Sequence, residues 1–414
     1  MRYEILARFL IFFSARVAPS AINFIILLVG TVIYPPDDYI SLSLFLTLIP
    51  FLSYCFYGWI NQICLREDLS SSINRRFEFV TLNLLFACAV MFLCSLSALL
   101  ISELSIYPIL GALFQSIHLI AGSFLQNQGR NKSYAKLEFS RFFLLSLMIL
   151  FFYFFRFKVE ILFLLYCVVI MVNIVFFFWP AMIAAKSSFI SIFGESNIFS
   201  KKYTKIFSLF KRYFWVSVWV SMSLSMPVLD RFIIQYFLQE NQLFFYSLYS
   251  DFIYRSYVFV LLPTVVFFQV DMFKSYRNGD FLHFSRLLKR SVYIQVLMFM
   301  FFFSGLFVFS HFFMSKVIEG FLFDWRPFAS FSLLCFAWHF TMLHQKEIEA
   351  KLDFGILSLF LFITLVCYVS TCILMIKLNF LMWWMMPLVL SASLLFYNCF
   401  VFKARKIKFF DGGL

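Results

Sequence analysis

Long apolar runs, each closed by a short polar break, recur from one end of the chain to the other. They lie near 9–33, 39–65, 77–101, 105–127, 139–156 and 159–184, then near 211–237, 243–269, 286–310, 325–345, 354–376 and 380–402. Such runs have the length a helix needs to cross hydrocarbon, where each backbone N–H and C=O must be satisfied within the segment. Composition agrees, with 63% hydrophobic and only 13% charged residues, against roughly a quarter charged in a soluble domain. The expected class is an all-α integral membrane protein of about twelve transmembrane helices. The first run is interrupted by Arg16 and followed by Tyr34-Pro35-Pro36-Asp37. With no small-residue cleavage site there, it reads as a retained span.

The basic residues between the runs alternate in density. Of 34 Lys and Arg, 26 fall on one side, including Arg75, Arg76, Arg130, Lys132, Lys136, Arg141, Lys201, Lys202, Arg286, Lys289, Lys346 and Lys351. Five fall on the other: Arg156, Lys158, Lys316, Arg326 and Lys377. Lys and Arg are retained on the cytoplasmic face, so both termini are expected in the cytoplasm. The net charge of +13 then serves topology and anionic membrane lipids. No soluble face gathers it into a nucleic-acid surface.

The longest polar connection divides six runs from six. The expected organisation is two pseudo-symmetric six-helix lobes: residues 1–185, a cytoplasmic linker 186–210, residues 211–402, and a cytoplasmic tail 403–414. Traces of repetition link the halves. Ala135-Lys136-Leu137-Glu138-Phe139 opens the fifth run, and Ala350-Lys351-Leu352-Asp353-Phe354 opens the eleventh. The same offset sets Arg16 against Arg231. Repeats of this kind hold transport sites at their interface.

Nothing reads as catalytic. There is no Gly-rich phosphate loop, no His-Glu-x-x-His and no Cys-x-x-Cys pair. No metal site and no cofactor are expected, and no outer loop is long enough for a catalytic domain.

What remains is charge inside the runs. Such residues are costly in lipid and usually face a polar cavity or one another. The candidates are Arg16, Asp230, Arg231, Asp251 and Arg255. Asp251 and Arg255 stand at i,i+4 with the acid first, the order that suits a helical ion pair. Asp230 and Arg231 follow Pro227, where the helix loses a backbone donor. Adjacent residues point about 100° apart on a helix, so they need different partners. Asp230 then either pairs with Arg255 or Arg16, or accepts a coupling ion. Three arginines against two acids favour an anionic cargo, since guanidinium binds phosphate bidentately. Asn23, Gln62, Asn83, Gln115, His118 and Asn173 either line a wet cavity or bond between helices.

Two stretches carry a family resemblance. Leu229-Asp230-Arg231-Phe232-Ile233-Ile234, with Tyr236-Phe237-Leu238 and then Tyr246-Ser247-Leu248-Tyr249, resembles the seventh-helix pattern of the Wzx-type O-antigen flippases. Gln126-Asn127-Gln128-Gly129-Arg130-Asn131-Lys132-Ser133-Tyr134-Ala135 is similar to that family's basic loop between helices four and five. These flippases form the polysaccharide-transporter branch of the MATE-like multidrug/lipid/polysaccharide exporter superfamily. The resemblance implies a non-enzymatic transporter of the bacterial inner membrane, a V-shaped bundle that alternates access. Its cargo would be an undecaprenyl-pyrophosphate-linked oligosaccharide for O-antigen or capsule synthesis. Arg16, Arg231 and Arg255 would then be the cavity cations for the pyrophosphate. Asp230 and Asp251 would be the cavity acids, with coupling to protons or sodium. The expected partners are membrane lipids, a polysaccharide polymerase and a chain-length regulator, with the transporter itself a monomer. The alternatives are a cation-coupled multidrug antiporter of the same superfamily and a membrane glycan polymerase or ligase.

Overall fold

The computed structural model describes residues 21–66, 106–127, 130–194, 198–238, 240–314, 316, 323–351 and 353–410, and all regular structure among them is helical. Helix α1 (Ala21–Ile33) ends at a tight corner where Tyr34 N–H donates to the Gly30 carbonyl at 3.0 Å. Helix α2 (Pro36–Arg66) begins on a proline, whose missing N–H costs nothing in a first turn. Asp37 and Asp38 face the positive end of its dipole. The Pro-Pro-Asp-Asp run is thus a helix start.

Helix α3 (Tyr107–Asn127) is followed by α4 (Asn131–Phe155), α5 (Val159–Gly194) and α6 (Ile198–Phe237). Arg156 closes α4 in the left-handed conformation, φ 48°, its N–H returning to the Phe152 carbonyl. Helix α7 (Glu240–Tyr249) passes through a π-helical turn, Ser250–Tyr254, into α8 (Arg255–Arg277). Gly279, at φ +75°, then turns the chain, and Asp280 caps α9 (Phe281–Phe309) by accepting from His283 N–H. A second π-helical turn, Ser310–Met314, extends α9. Helix α10 (Trp325–His344), the short α11 (Lys346–Ala350), α12 (Phe354–Lys377) and α13 (Met386–Phe410) complete the described chain.

Eight helical stretches among the described residues are long and apolar enough to cross a membrane. Large apolar side chains stay exposed along them, such as Phe154, Phe176 and Phe301, as a lipid-facing surface requires. The chain is a multi-pass membrane protein. The run expected near 77–101 and the first part of the run near 9–33 lie outside the described residues.

One boundary shifts. Helix α4 begins at Asn131, eight residues before the apolar run, because Lys132 and Lys136 occupy its first turns. The 135–139 segment therefore lies inside a helix, whereas 350–354 spans the break between α11 and α12. Within the stretch 186–210, residues 186–194 belong to α5 and 198–210 to α6.

The chain divides into two compact units. One comprises Met1–Pro19 with Leu44–Ser225, the other Ser20–Ser43 with Met226–Leu414. In the first, Phe45 stacks on Phe163 with ring centroids 4.2 Å apart, and Ile49 and Ser53 of α2 meet α3. In the second, Phe24 of α1 meets Phe252 of the π-turn edge-on at 5.4 Å, and Phe268, Met272 and Phe284 join α8 to α9.

Gly111 permits the α2–α3 contact: a Cβ there would fall 2.7 Å from Ile49 Cδ1. Gly111→Val should cost about 1–3 kcal/mol through overpacking and lower the melting midpoint in detergent. Gly305→Ala, whose Cβ meets nothing within 4 Å, should leave it unchanged. Equal midpoints for the two variants would contradict the packing described.

Candidate functional site

The second unit buries an ion cluster on α2, α6 and the π-turn. Asp251 is 1% exposed and sits in the π-turn, where the helix is wider and its hydrogen-bond ladder is displaced. Its Oδ1 accepts from Arg255 Nε at 2.9 Å and from Arg231 Nη2 at 3.2 Å. Its Oδ2 accepts from the hydroxyl of Tyr39, in the first turn of α2, at 3.1 Å. One carboxylate thus serves two guanidinium groups.

Arg231 is pinned. Beyond Asp251, its Nη2 donates to Ser43 Oγ at 2.8 Å and its Nη1 to the Pro227 carbonyl at 3.0 Å. It is 3% exposed, whereas the side chain of Arg255 is 22% exposed. Of the charged groups in this cluster, only Arg255 is accessible.

Asp230 takes a different solution. Its neighbour Arg231 turns to Asp251, and its own carboxylate accepts from the hydroxyls of Tyr246 on α7 and Tyr368 on α12. It is 1% exposed and lines a cavity of about 20 Å³ with Tyr246, Ser250, Tyr254 and Trp338. That is room for one water-sized occupant. Of the two arginines expected as its partners, the structure describes Arg255, which turns to Asp251 instead.

Arg16 lies outside the described residues. The structure therefore brings Arg231, Asp251 and Arg255 into one cluster and sets Asp230 beside it on the next residue. It adds Tyr39, Ser43 and Tyr368, which no sequence pattern singled out, and gives Tyr246, quoted above only as part of a resemblance, a bond to Asp230.

The first unit holds a separate polar seam. His118 of α3 is fully buried, with Nε2 3.2 Å from Glu138 Oε1 of α4. Arg141, one turn on, donates to the Tyr166 hydroxyl of α5 at 3.3 Å. From its charge alone Arg141 belongs with the cytoplasmic-face basic residues, yet it is 3% exposed inside the unit. Asn173 ties α5 to α4 through the Leu137 carbonyl at 3.1 Å and Ser140, the interhelical role open to it from the sequence.

Lys346 departs in the same way. It is buried against Glu349 at 2.7 Å and Gln269 at 3.2 Å, in a corner completed by Gln345 and Tyr397. Nearby, burial pulls the Lys351 ammonium down, but the hydrogen bond and charge of Glu347 outweigh it, so its pKa is raised. Among the described residues no group of three His, Cys, Asp or Glu side chains could hold a metal.

No protein-family model matches the chain, and no curated protein matches it in sequence. Solved structures do match its fold. An outward-facing multidrug resistance MATE family transporter of the MOP superfamily aligns with TM-score 0.67 and 11% identity, over 98% of this chain and 94% of that one. A MATE transporter solved in complex with MaL6 gives 0.65 and 11%, over 98% and 95%. A MOP superfamily transporter from Pyrococcus furiosus, described for the reverse polarity of its binding pocket, gives 0.62 and 11%, over 98% and 95%. The chain has the fold of the MATE and MOP superfamily transporters.

Proposed function

We propose that this protein is a flippase. It carries an undecaprenyl-pyrophosphate-linked oligosaccharide from the cytoplasmic to the outer leaflet of a bacterial inner membrane, for O-antigen or capsule synthesis. The observation that carries the reading is the cluster at Asp251, where two guanidinium groups share one carboxylate and Arg255 alone is accessible. Guanidinium groups set inside a membrane unit suit an anionic cargo, and a pyrophosphate diester offers the oxygens they bind. Arg255 contacts the phosphates directly, Arg231 supports the field from behind, and Arg16 adds to it from the first span. The full architecture is twelve helices in two lobes, with both termini in the cytoplasm, where the basic residues concentrate. Helix motions switch access between the two faces.

Asp230 is the coupling acid in this scheme. Two tyrosine hydroxyls bond the carboxylate directly, and its cavity suits a proton carried by water or a sodium ion. The same feature favours a second reading, a cation-coupled multidrug antiporter. Known neighbours of the fold include multidrug transporters, and Asp230 stands among Tyr246, Tyr254 and Trp338. The cavity of about 20 Å³ is far smaller than the roughly 300–1,000 Å³ of a drug site, which fits a coupling ion better than a drug.

Two tests separate these readings. In the host, Arg255→Ala should abolish surface polysaccharide and trap completed lipid-linked units on the cytoplasmic leaflet, at normal protein level. Arg255→Lys should retain only part of the activity, because an ammonium cannot bind bidentately. Normal polymer with heightened dye sensitivity would instead establish the antiporter.

In reconstituted vesicles, Asp230→Asn should remove the dependence of lipid-linked unit translocation on an imposed proton or sodium gradient. A variant still accelerated by the gradient as strongly as wild type would exclude Asp230 as the coupling acid.

A further inference from the structure

Of the eight span-length helices among the described residues, α9 is the least covered: 11% of its apolar stretch is buried, against 28–50% in the others. Its exposed side is one continuous stripe. Arg286, Arg290, Tyr293, Leu297 and Phe301 follow one another at steps of three or four residues, all of them exposed, with Lys289 and Met300 alongside. From the N-terminal end, the stripe begins with cations, passes a tyrosine and continues as hydrocarbon. Between Arg290 and Phe301 the helix rises roughly 16 Å, close to the depth of one leaflet in a hydrocarbon core about 30 Å thick.

The turn before α9 adds to the cationic end. Lys274 and Arg277, in the last turn of α8, are also exposed. The corner that presents them is well fixed. Gly279 turns the chain at φ +75°, Asp280 N–H donates to the Ser275 carbonyl at 2.9 Å, and Tyr276 meets Phe281 and Phe284 edge-on at 5.3 and 5.6 Å. None of these five cations forms an ion pair among the described residues. The acids of the corner are Asp271 and Asp280, and Asp280 is engaged as the cap of α9. Phe281 and Leu282, 56% and 65% exposed, open the helix just before the cations, so the corner offers apolar anchors as well as charge.

We propose that this corner and the exposed stripe of α9 form a binding site for an anionic phospholipid. The phosphodiester headgroup meets Arg286, Lys289 and Arg290, with Lys274 and Arg277 adding to the field. The acyl chains lie along Leu297, Met300 and Phe301. A guanidinium binds phosphate oxygens in a bidentate fork, and a basic cluster at the end of a span attracts anionic headgroups. Tyr293 stands where headgroup gives way to chain, the depth at which amphipathic rings settle. A second copy of the chain fits this face badly. In a two-fold pair within one membrane the same patch meets itself, so Arg286, Lys289 and Arg290 would oppose their own images. The lipid site is independent of what the transporter carries.

The experiment is native mass spectrometry of the purified full-length protein in detergent, titrated with phosphatidylglycerol or with zwitterionic phosphatidylcholine. Each basic residue near a headgroup is worth about fivefold in affinity, so wild type should prefer phosphatidylglycerol by more than about tenfold. R286Q/K289Q/R290Q should lose more than about tenfold in phosphatidylglycerol affinity and leave phosphatidylcholine unchanged. R130Q/K132Q/K136Q removes three exposed cations at the start of α4 and should change phosphatidylglycerol affinity less than about twofold, because a remote charge is screened.

Equal losses in the two triple variants would show charge spread over a whole face rather than a site, and would overturn the proposal. Equal affinity of the wild type for the two lipids would do the same. Inorganic phosphate at the lipid's concentration should displace none of it, since it lacks the chains; full displacement would leave a free-anion surface in place of a lipid site. A dimer that R286Q/K289Q/R290Q splits into monomers, with lipid binding unchanged, would make the face an interface between copies. Should that variant have a lowered melting midpoint, Arg290→Gln alone decides: a loss of about fivefold is expected, and unchanged phosphatidylglycerol binding overturns the proposal.

Discussion

A charge within a membrane helix must bring its own neutralisation, and in the second unit Asp251 contributes to it for two arginines. Asp251 is the only acid among the described residues within ion-pair reach of Arg231 and Arg255. Removing one partner from a buried pair typically costs about 3–5 kcal/mol, enough to fix where the elements that carry these residues must lie. Tyr39 and Ser43 come from the first turns of α2, Arg231 from the last third of α6, and Asp251 from the π-turn. The cluster accounts for a feature that hydrophobic packing alone does not. The start of α2 belongs with residues after 226, although the rest of the same helix belongs to the other unit. Residues 39 and 43 are held by the ions of the distant half.

The π-turn belongs to the same solution. A regular helix through Ser250–Tyr254 would keep its backbone bonds in register; the wider turn loosens that ladder beside the acid that two cations share. Pro227 contributes on the facing segment. Its carbonyl accepts from Arg231 Nη1 at 3.0 Å, so the guanidinium is braced by its own helix one turn back. Two departures from ideal helix thus stand on either side of the ion cluster, each next to a residue it supports.

How much of this could be read in the sequence depends on the range of the interaction. Span-length apolar runs are local signals, and those near 39–65, 105–127, 325–345 and 354–376 match observed helices to within three residues. The Asp251–Arg255 pair is also local, at i,i+4, and was legible as such. Tyr368, in contrast, reaches Asp230 across 138 positions and Tyr39 reaches Asp251 across 212. No periodicity encodes such separations. Arg141 and Lys346 carry the composition of a cytoplasmic face, but each has an internal partner, Tyr166 and Glu349, that only the packed helices reveal. The apolar window also began α4 too late, because the Lys-bearing first turns dilute hydrophobicity without opposing helix formation.

Asp230 and Asp251 stand 21 positions apart and are satisfied in different ways. Asp251 is held by two guanidinium groups and the Tyr39 hydroxyl. Asp230 is held by neutral hydroxyls from α7 and α12, and its one open side is a water-sized cavity. Hydroxyls can turn to donate or accept, so they tolerate a carboxylate, a carboxylic acid or a carboxylate with a bound cation. Arg231 is the next residue after Asp230 and the partner of Asp251, so one segment of α6 joins the two acids. In the proposed flippase that adjacency is what would let an ion at Asp230 bear on the arginines that meet the cargo.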